Sequence, residues 1–380
     1  MSEVAPSTNA SRILLTPGPL TVSTNVHTAM LSDWGSRDAD FLELTARIRH
    51  KLVSLADAEG THECVLLQGS GTFATEAALG TCVRSDDGVL VIANGAYGRR
   101  IARMLAHIGR RHTLYEIPED RVPDVGRIAE LLTADPMLRY VALVHCETTT
   151  GILNPLSEVA ALTSRLNRRL IVDAISSFGA LPISIKNTPI DVLIASSNKC
   201  LQGAPGVGIV LARRDILVAS SGHAHSVSLD LHDQWRNFVN TGEWRFTPPT
   251  HVVAALGAAL DELAAEGGPE ARRLRYQQNC EVLVAGMRTR GFRTLLDSSV
   301  QAPIIVTFKM PSAEFSFELF YLGLHRRGFV IYPGKLTKMP TFRVGCIGAI
   351  DQETIVQFLR SVDAVIASGE TRNFVYGATR

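Results

Sequence analysis

Seven short apolar runs recur along the first two thirds of the chain, at about 64–68, 88–93, 111–117, 140–145, 170–173, 191–195 and 207–212. Helix-patterned stretches separate several of them, at about 72–84, 96–108, 124–134 and 156–168. Runs such as Val89-Leu-Val-Ile-Ala and Tyr140-Val-Ala-Leu-Val are apolar at every position. A strand of that kind must be covered on both faces, which predicts an α/β fold with a mostly parallel sheet. In open sheets of this class ligands sit beyond the carboxyl ends of the strands, so those ends are where chemistry is expected.

The rest of the chain frames this sheet. Ile13-Leu-Leu-Thr-Pro-Gly-Pro-Leu holds two prolines and a glycine that forbid a helix, so it predicts an extended arm lying over something else. Residues 40–55 have helical spacing, with Phe41, Leu44, Ile48, Leu52 and Leu55 on one side. Two helices, 252–266 and 269–290, are broken by Gly267-Gly268, and Gly291 stops the second. Beyond them, strands at 304–308 and 341–345 with helices near 316–327 and 351–366 predict a smaller α+β domain. The expected division is an arm over 1–20, a large domain over 21–266 and a small domain over 267–380, which suits a chain of 380 residues.

Composition removes several classes. The 38 basic and 37 acidic residues balance to +1, with no basic stripe, which argues against nucleic acid and membrane partners. No run of about eighteen apolar residues exists, and residues 1–12 lack an apolar signal core, so a cytoplasmic protein is expected. Six cysteines without a CxxC pair read as reduced core residues. Cys200 stands apart because it adjoins a lysine of interest.

That lysine is Lys199. It follows the strand beginning at Asp191, ahead of a Gly/Pro-rich loop, which places an ammonium at the rim of a core. A desolvated lysine has a lowered pKa and can form a Schiff base with an aldehyde cofactor; the alternative is that it snorkels to solvent. Leu170-Ile-Val-Asp ends the preceding strand on a carboxylate, Asp173. Gln68-Gly-Ser-Gly-Thr opens a helix, where Ser70, Gly71 and Thr72 would cradle an anion. The same residues match Gly69-x-Gly71-x-x-Ala74, a dinucleotide fingerprint, yet the next strand closes on Asn94-Gly95 rather than an acid. Tyr97 offers an aromatic face for stacking or is an ordinary half-buried tyrosine. Thr148, or a neighbour, could donate to a ring hydroxyl. Cradle, aromatic face, hydroxyl, carboxylate and amine together are what pyridoxal 5'-phosphate requires.

Two later motifs bear on substrate and assembly. Thr247, before two prolines, could reach a phosphate across a subunit boundary, or the prolines simply stiffen the lead into the next helix. Arg343, flanked by apolar residues on a short strand, suits a carboxylate or phosphonate, with a structural salt bridge as the alternative. His223, His225 and His232 are close in sequence but lack accompanying carboxylates, so no metal is expected and the first two are placed near the mouth of the pocket.

The Ser-Ser-Asn-Lys199 turn, the Val-Asp173 strand, the Gly-Ser-Gly-Thr loop and Arg343-Val-Gly-Cys-Ile-Gly resemble the class V branch of fold-type-I pyridoxal-phosphate aminotransferases. Leu15-Thr-Pro-Gly-Pro-Leu, Asp33-Trp-Gly-Ser, Val144-His-Cys-Glu-Thr, Phe246-Thr-Pro-Pro-Thr-His and Tyr332-Pro-Gly-Lys-Leu-Thr resemble its phosphonate-handling members more closely. The resemblance spans about 12–366. It implies a homodimer with an interfacial active site, acting on 2-aminoethylphosphonate and pyruvate. It also implies Lys199 as Schiff-base lysine, Asp173 as pyridinium partner and Ser70, Gly71 and Thr72 as phosphate ligands. Thr148 would face the ring hydroxyl, Thr247 would come from the second subunit, and Arg343 would hold the substrate acid. The chain departs from the pattern at Arg37, where an aromatic residue is usual, and at Asn198, often a glycine. An added cation at Arg37 would adjust the anion pocket. Other class V aminotransferases, a lyase on a related phosphonate, and a non-enzymatic or dinucleotide-binding protein are the alternatives.

Overall fold

The computed structural model describes residues 12–334 and 339–369. A seven-stranded sheet organises it, with strands in the spatial order 62–68, 207–213, 192–196, 169–173, 138–144, 88–93 and 112–116. The five strands from 192–196 to 112–116 are mutually parallel. Val207–Arg213 runs antiparallel to both its neighbours. Each expected strand lies within two residues of its observed bounds, because runs buried on both faces leave little freedom for register.

Helices cover the sheet as their residue patterns require. Gly71–Cys82 is built of small residues, most of them buried, so it lies deep against the sheet. Ala96–His107 is amphipathic, burying Ile101, Met104 and Leu105. It comes so close to the sheet that a Cβ on Gly98 would sit 2.7 Å from the Cα of Ala93. No larger residue fits there. Ala39–Leu55 buries Phe41, Leu44, Ile48 and Leu52 as its spacing predicts.

Gly267 and Gly268 adopt φ of +105° and +81°, left-handed values that let Thr250–Glu266 end and Gly268–Thr289 begin at a corner. Val253, Leu256 and Leu263 before the corner join the large apolar cluster around the main sheet. Leu283 and Met287 after it join a second cluster, around the three-stranded antiparallel sheet of Ile305–Lys309, Thr341–Gly345 and Tyr332–Pro333. Phe342 anchors this second core, its ring 5.5 Å from those of Phe292, Phe308 and Phe320.

The arm joins the second cluster. Ile13–Leu14 pairs in parallel with Phe329–Val330, Leu15 is fully buried in the second core, and Gly345 donates its N–H to the Leu15 carbonyl at 2.8 Å. Three α-helices escape the sequence reading, the short Thr24–Thr28, Arg214–Ala219 and Leu231–Thr241. The last is capped by Asp230 and buries only Leu231, Gln234, Trp235 and Phe238 among polar neighbours, which dilutes its apolar period. Residues 1–11 of the expected arm, and Lys335, Leu336 and Thr337 of the Tyr332 motif, lie outside the described residues.

Candidate active site

Asp173 closes its strand as expected and is buried. One carboxylate oxygen accepts the Ile175 N–H at 3.0 Å. Burial pushes its pKa up to about 6; Glu147 adds to the rise, while Arg100 and Lys199 oppose it. In the neighbouring strand Val192–Ser196 the chain turns at Ser197, and Lys199 enters the same cavity, of about 190 Å³, that Asp173 lines.

The lysine loop is pinned from several sides. The Ser197 hydroxyl donates to the Ala204 carbonyl at 2.6 Å. Gln202, at a left-handed φ of +63°, bonds the Tyr276 hydroxyl and the Gly348 carbonyl. Arg272, nearly free of solvent, donates to the carbonyls of Cys200 at 2.8 Å and Leu201 at 3.3 Å while paired with Glu266. Lys199 Nζ donates to the Pro17 carbonyl at 2.6 Å, so the arm is one wall of the site. A Cβ on Gly18 would stand 2.5 Å from that nitrogen. Cys200 is buried with its thiol pushed up to about 12, which makes it packing rather than chemistry.

On the opposite wall, Ser70 precedes the helix Gly71–Cys82 without making a side-chain capping bond to it. The first-turn N–H groups of that helix are a positive end for an anion. Gly69 turns the chain at φ +119°, and Gly71 passes so near Ile175 that a Cβ would lie 2.6 Å from its side chain. Tyr97, half-buried, lines the cavity with its ring 4.9 Å from the Arg100 guanidinium carbon.

What fixes Tyr97 is Glu147, which the sequence reading quoted in a motif without a role. Its fully buried carboxylate accepts from the N–H groups of Tyr97 at 3.0 Å and Gly98 at 3.3 Å. It also takes the N–H of Thr149 at 3.1 Å and the Thr149 hydroxyl at 2.5 Å. Burial raises its pKa against these four donors. Gly95 leaves the space: a Cβ there would collide with the Glu147 carboxyl at 2.4 Å.

The cavity thus brings together Ser70, Gly71, Thr72, Tyr97, Asp173 and Lys199, with Asn198 also on its wall. Thr148, Thr247 and Arg343 are not among its lining residues. Thr148 is fully buried, its hydroxyl makes no hydrogen bond, and its carbonyl accepts from Arg343 at 2.9 Å. Arg343 also donates to the Pro333 carbonyl at 3.0 Å. No acidic residue among those described pairs with it, so the salt-bridge alternative fails, and burial lowers its pKa. Thr247 is exposed, with its carbonyl held by Gln68 at 3.1 Å.

Three expectations are corrected. Arg37 is largely exposed and lies 3.4 Å from Glu243, off the cavity wall. His225 packs against Gly80 and Glu76, toward the far end of the helix that starts at the cradle, rather than at the pocket mouth. His223 lies beside it, its carbonyl accepting from Arg110. His232 instead bonds the Leu217 carbonyl at 2.6 Å.

Would a phosphorylated pyridine aldehyde fit? An amine and a carboxylate stand on one cavity, and a helix terminus with an uncapped first turn opens onto it. Ser196, another cavity residue the sequence reading passed over, has a buried hydroxyl without a partner, as Thr148 does. Orphaned buried hydroxyls are costly unless a ligand satisfies them. The donor set fits the group.

An amine-bearing cavity at the strand ends of such a sheet defines an enzyme that works on amino groups through an aldehyde cofactor. Residues 19–350 match the aminotransferase class-V family, and the chain belongs to that family. It is 51% identical over 359 residues to a 2-aminoethylphosphonate–pyruvate transaminase of Pseudomonas putida, covering 94% of this chain and 98% of the relative. A 2-aminoethylphosphonate–pyruvate transaminase 2 of Burkholderia lata is also 51% identical, covering 96% and 97%. Among solved structures, pyridoxamine–pyruvate aminotransferase of Mesorhizobium loti shares the fold with a TM-score of 0.88, at 24% identity and coverage of 98% and 96%. The chain is a pyridoxal-phosphate-dependent aminotransferase of the fold-type-I architecture.

Proposed function

We propose that the enzyme moves the amino group of 2-aminoethylphosphonate to pyruvate, giving phosphonoacetaldehyde and L-alanine. The observation that carries the reading is a buried arginine, Arg343, held by two main-chain carbonyls and by no acid among the described residues. Its remaining N–H groups suit a phosphonate in one half-reaction and a carboxylate in the other. The names of the relatives at 51% identity support the same pair of substrates.

The cofactor, when bound, supplies an electron sink conjugated to the amine-bearing carbon. Asp173 holds a proton at the ring nitrogen, and Ser70, Gly71 and Thr72 orient the phosphate. Tyr97 would cover a ring face, and the unpartnered Thr148 hydroxyl, behind the cavity wall, would be the donor to the ring hydroxyl. Lys199 would hold the cofactor through its aldehyde and, as a free amine, would move the proton at the reacting carbon. Pro17 is placed to receive a hydrogen bond from that amine while it waits. Thr247, exposed in its own protomer, reaches the phosphate of the partner subunit in a homodimer.

On the same reading the chain divides into the arm 1–20, the large domain 21–266 and the small domain 267–380; the change from one apolar cluster before Gly267 to another after Gly268 supports the last boundary. Among the described residues no helix is long and apolar enough to cross a membrane. The six free, buried cysteines suit a reducing cytoplasm.

The deciding experiment measures phosphonoacetaldehyde formation from 2-aminoethylphosphonate with and without pyruvate. Formation strictly dependent on pyruvate, with alanine in equal amount, is expected. Release of ammonia without pyruvate would instead assign a lyase, and turnover with alanine, serine or glyoxylate alone would assign another amino donor or acceptor.

A further inference from the structure

Arg100 was passed over in the sequence, yet its side chain lines the active cavity. It sits one turn after Tyr97 on the helix Ala96–His107, and its guanidinium carbon lies over the Tyr97 ring, 4.9 Å from the ring centre. From that position it donates to the Thr72 hydroxyl at 3.0 Å. The adjacent Arg99 behaves as a surface residue and pairs with Glu116 at 2.5 Å. Arg100 makes no ion pair of that kind with any described residue.

The charge inventory of the cavity gives this position its meaning. Lys199 and Arg100 are the cations among the residues lining it, and Asp173 is the anion. Once the lysine amine is committed to the cofactor aldehyde it cannot also neutralise a phosphate. A phosphate monoester carries between one and two negative charges near neutral pH, whereas a helix N-terminus offers roughly half a positive charge. The cradle residues themselves are neutral. Among the described residues lining the cavity, Arg100 is the cation left to compensate the phosphate.

We propose that Arg100 is the residue that makes the site select the phosphorylated cofactor. It places a full positive charge beside the anion and orients the Thr72 hydroxyl toward it, with Tyr97 holding the guanidinium plane in place. This rests on the reading of Ser70, Gly71 and Thr72 as the phosphate cradle. It separates two functions within one helix, since Tyr97 would stack on the ring while Arg100 reads its substituent.

The test is a titration of cofactor-free protein with pyridoxal 5'-phosphate and, separately, with unphosphorylated pyridoxal, followed by quenching of tryptophan fluorescence. Wild type should prefer the phosphorylated form by at least a hundredfold. Arg100→Met should weaken pyridoxal phosphate at least tenfold and leave pyridoxal within twofold. Arg100→Lys should fall between. Should Arg100→Met not fold, the comparison of Arg100→Lys with wild type decides alone, and a threefold or greater loss confined to the phosphorylated form is the expected result. Equal losses for both ligands, or no loss for either, overturn the role of Arg100. A wild type indifferent to the phosphate would instead sink the cradle reading, and this proposal with it.

Discussion

Lys199 and Pro17, 182 positions apart in the chain, are joined by a 2.6 Å hydrogen bond from the lysine amine to the proline carbonyl. The arm that supplies this carbonyl is itself held by the second core, through Leu15 and through Gly345, whose Cβ would be 2.3 Å from the Thr16 carbonyl. The lysine amine therefore touches a segment anchored on the strand that carries Arg343. The fit has no slack at Gly18, where φ is +123° and an added methyl group meets the lysine. Gly18→Ala is expected to cost about 1–3 kcal/mol of stability from the backbone alone and to lower kcat at least tenfold. Steady-state kinetics and urea unfolding would show both; unchanged kinetics would mean the arm leaves the lysine during turnover.

Asp173 carries a stability cost that depends on pH. Its pKa in the folded protein, about 6, is raised from the ordinary 3.8 by burial, so the folded state holds the proton where the unfolded state has lost it. Stability of the cofactor-free protein should fall as pH rises through that window and stay reduced above it. Asp173→Asn should thus be more stable than wild type by on the order of 2 kcal/mol at pH 7.5, and about equal to it below pH 4. Its turnover should fall at least a hundredfold. Denaturation midpoints of the two cofactor-free proteins at both pH values check the sign; a difference independent of pH contradicts it.

Arg343 should matter to both halves of the reaction. Arg343→Ala is expected to lower kcat/KM for 2-aminoethylphosphonate and for pyruvate alike, each by on the order of a hundredfold. Arg343→Lys should recover little, because one ammonium cannot hold two carbonyls and still present a planar fork. Single-turnover measurements of each half-reaction distinguish this from a defect in only one.

Glu147 is expected to behave as a positioning residue. Gln at this site turns an NH2 toward N–H groups that need an acceptor, so Glu147→Gln should cost about 1–3 kcal/mol. Because Tyr97 hangs from the same carboxylate, cofactor affinity should fall as well. Loss of stability with unaltered cofactor affinity would confine Glu147 to the core.

The strand ends were legible in the sequence because strands apolar on both faces have few alternative placements, and Asp173 and Lys199 follow directly from them. Glu147 was not legible, since its partners at Tyr97 and Gly98 are fifty residues away and nothing local marks a carboxylate as buried. Arg100 was hidden among the charged residues of an amphipathic helix, where an arginine ordinarily faces water. The arm was recognisable from its prolines, but its contact with Lys199 exists only after both apolar clusters have formed. His223 and His225 misled because they are near one another in the chain; space was left for His225 by Gly80, which no local pattern announces.

The antiparallel strand Val207–Arg213 returns the chain from the lysine loop directly into the sheet that the loop has just left. Gln202 and Arg272 stitch the outer side of that loop to the helix Gly268–Thr289. Lys199 is thus carried on a short bridge clamped at both abutments, and only its four methylenes are left to swing. With the loop fixed in this way, the amine keeps its address, and any adjustment to a bound molecule falls to that side chain and to the walls around it.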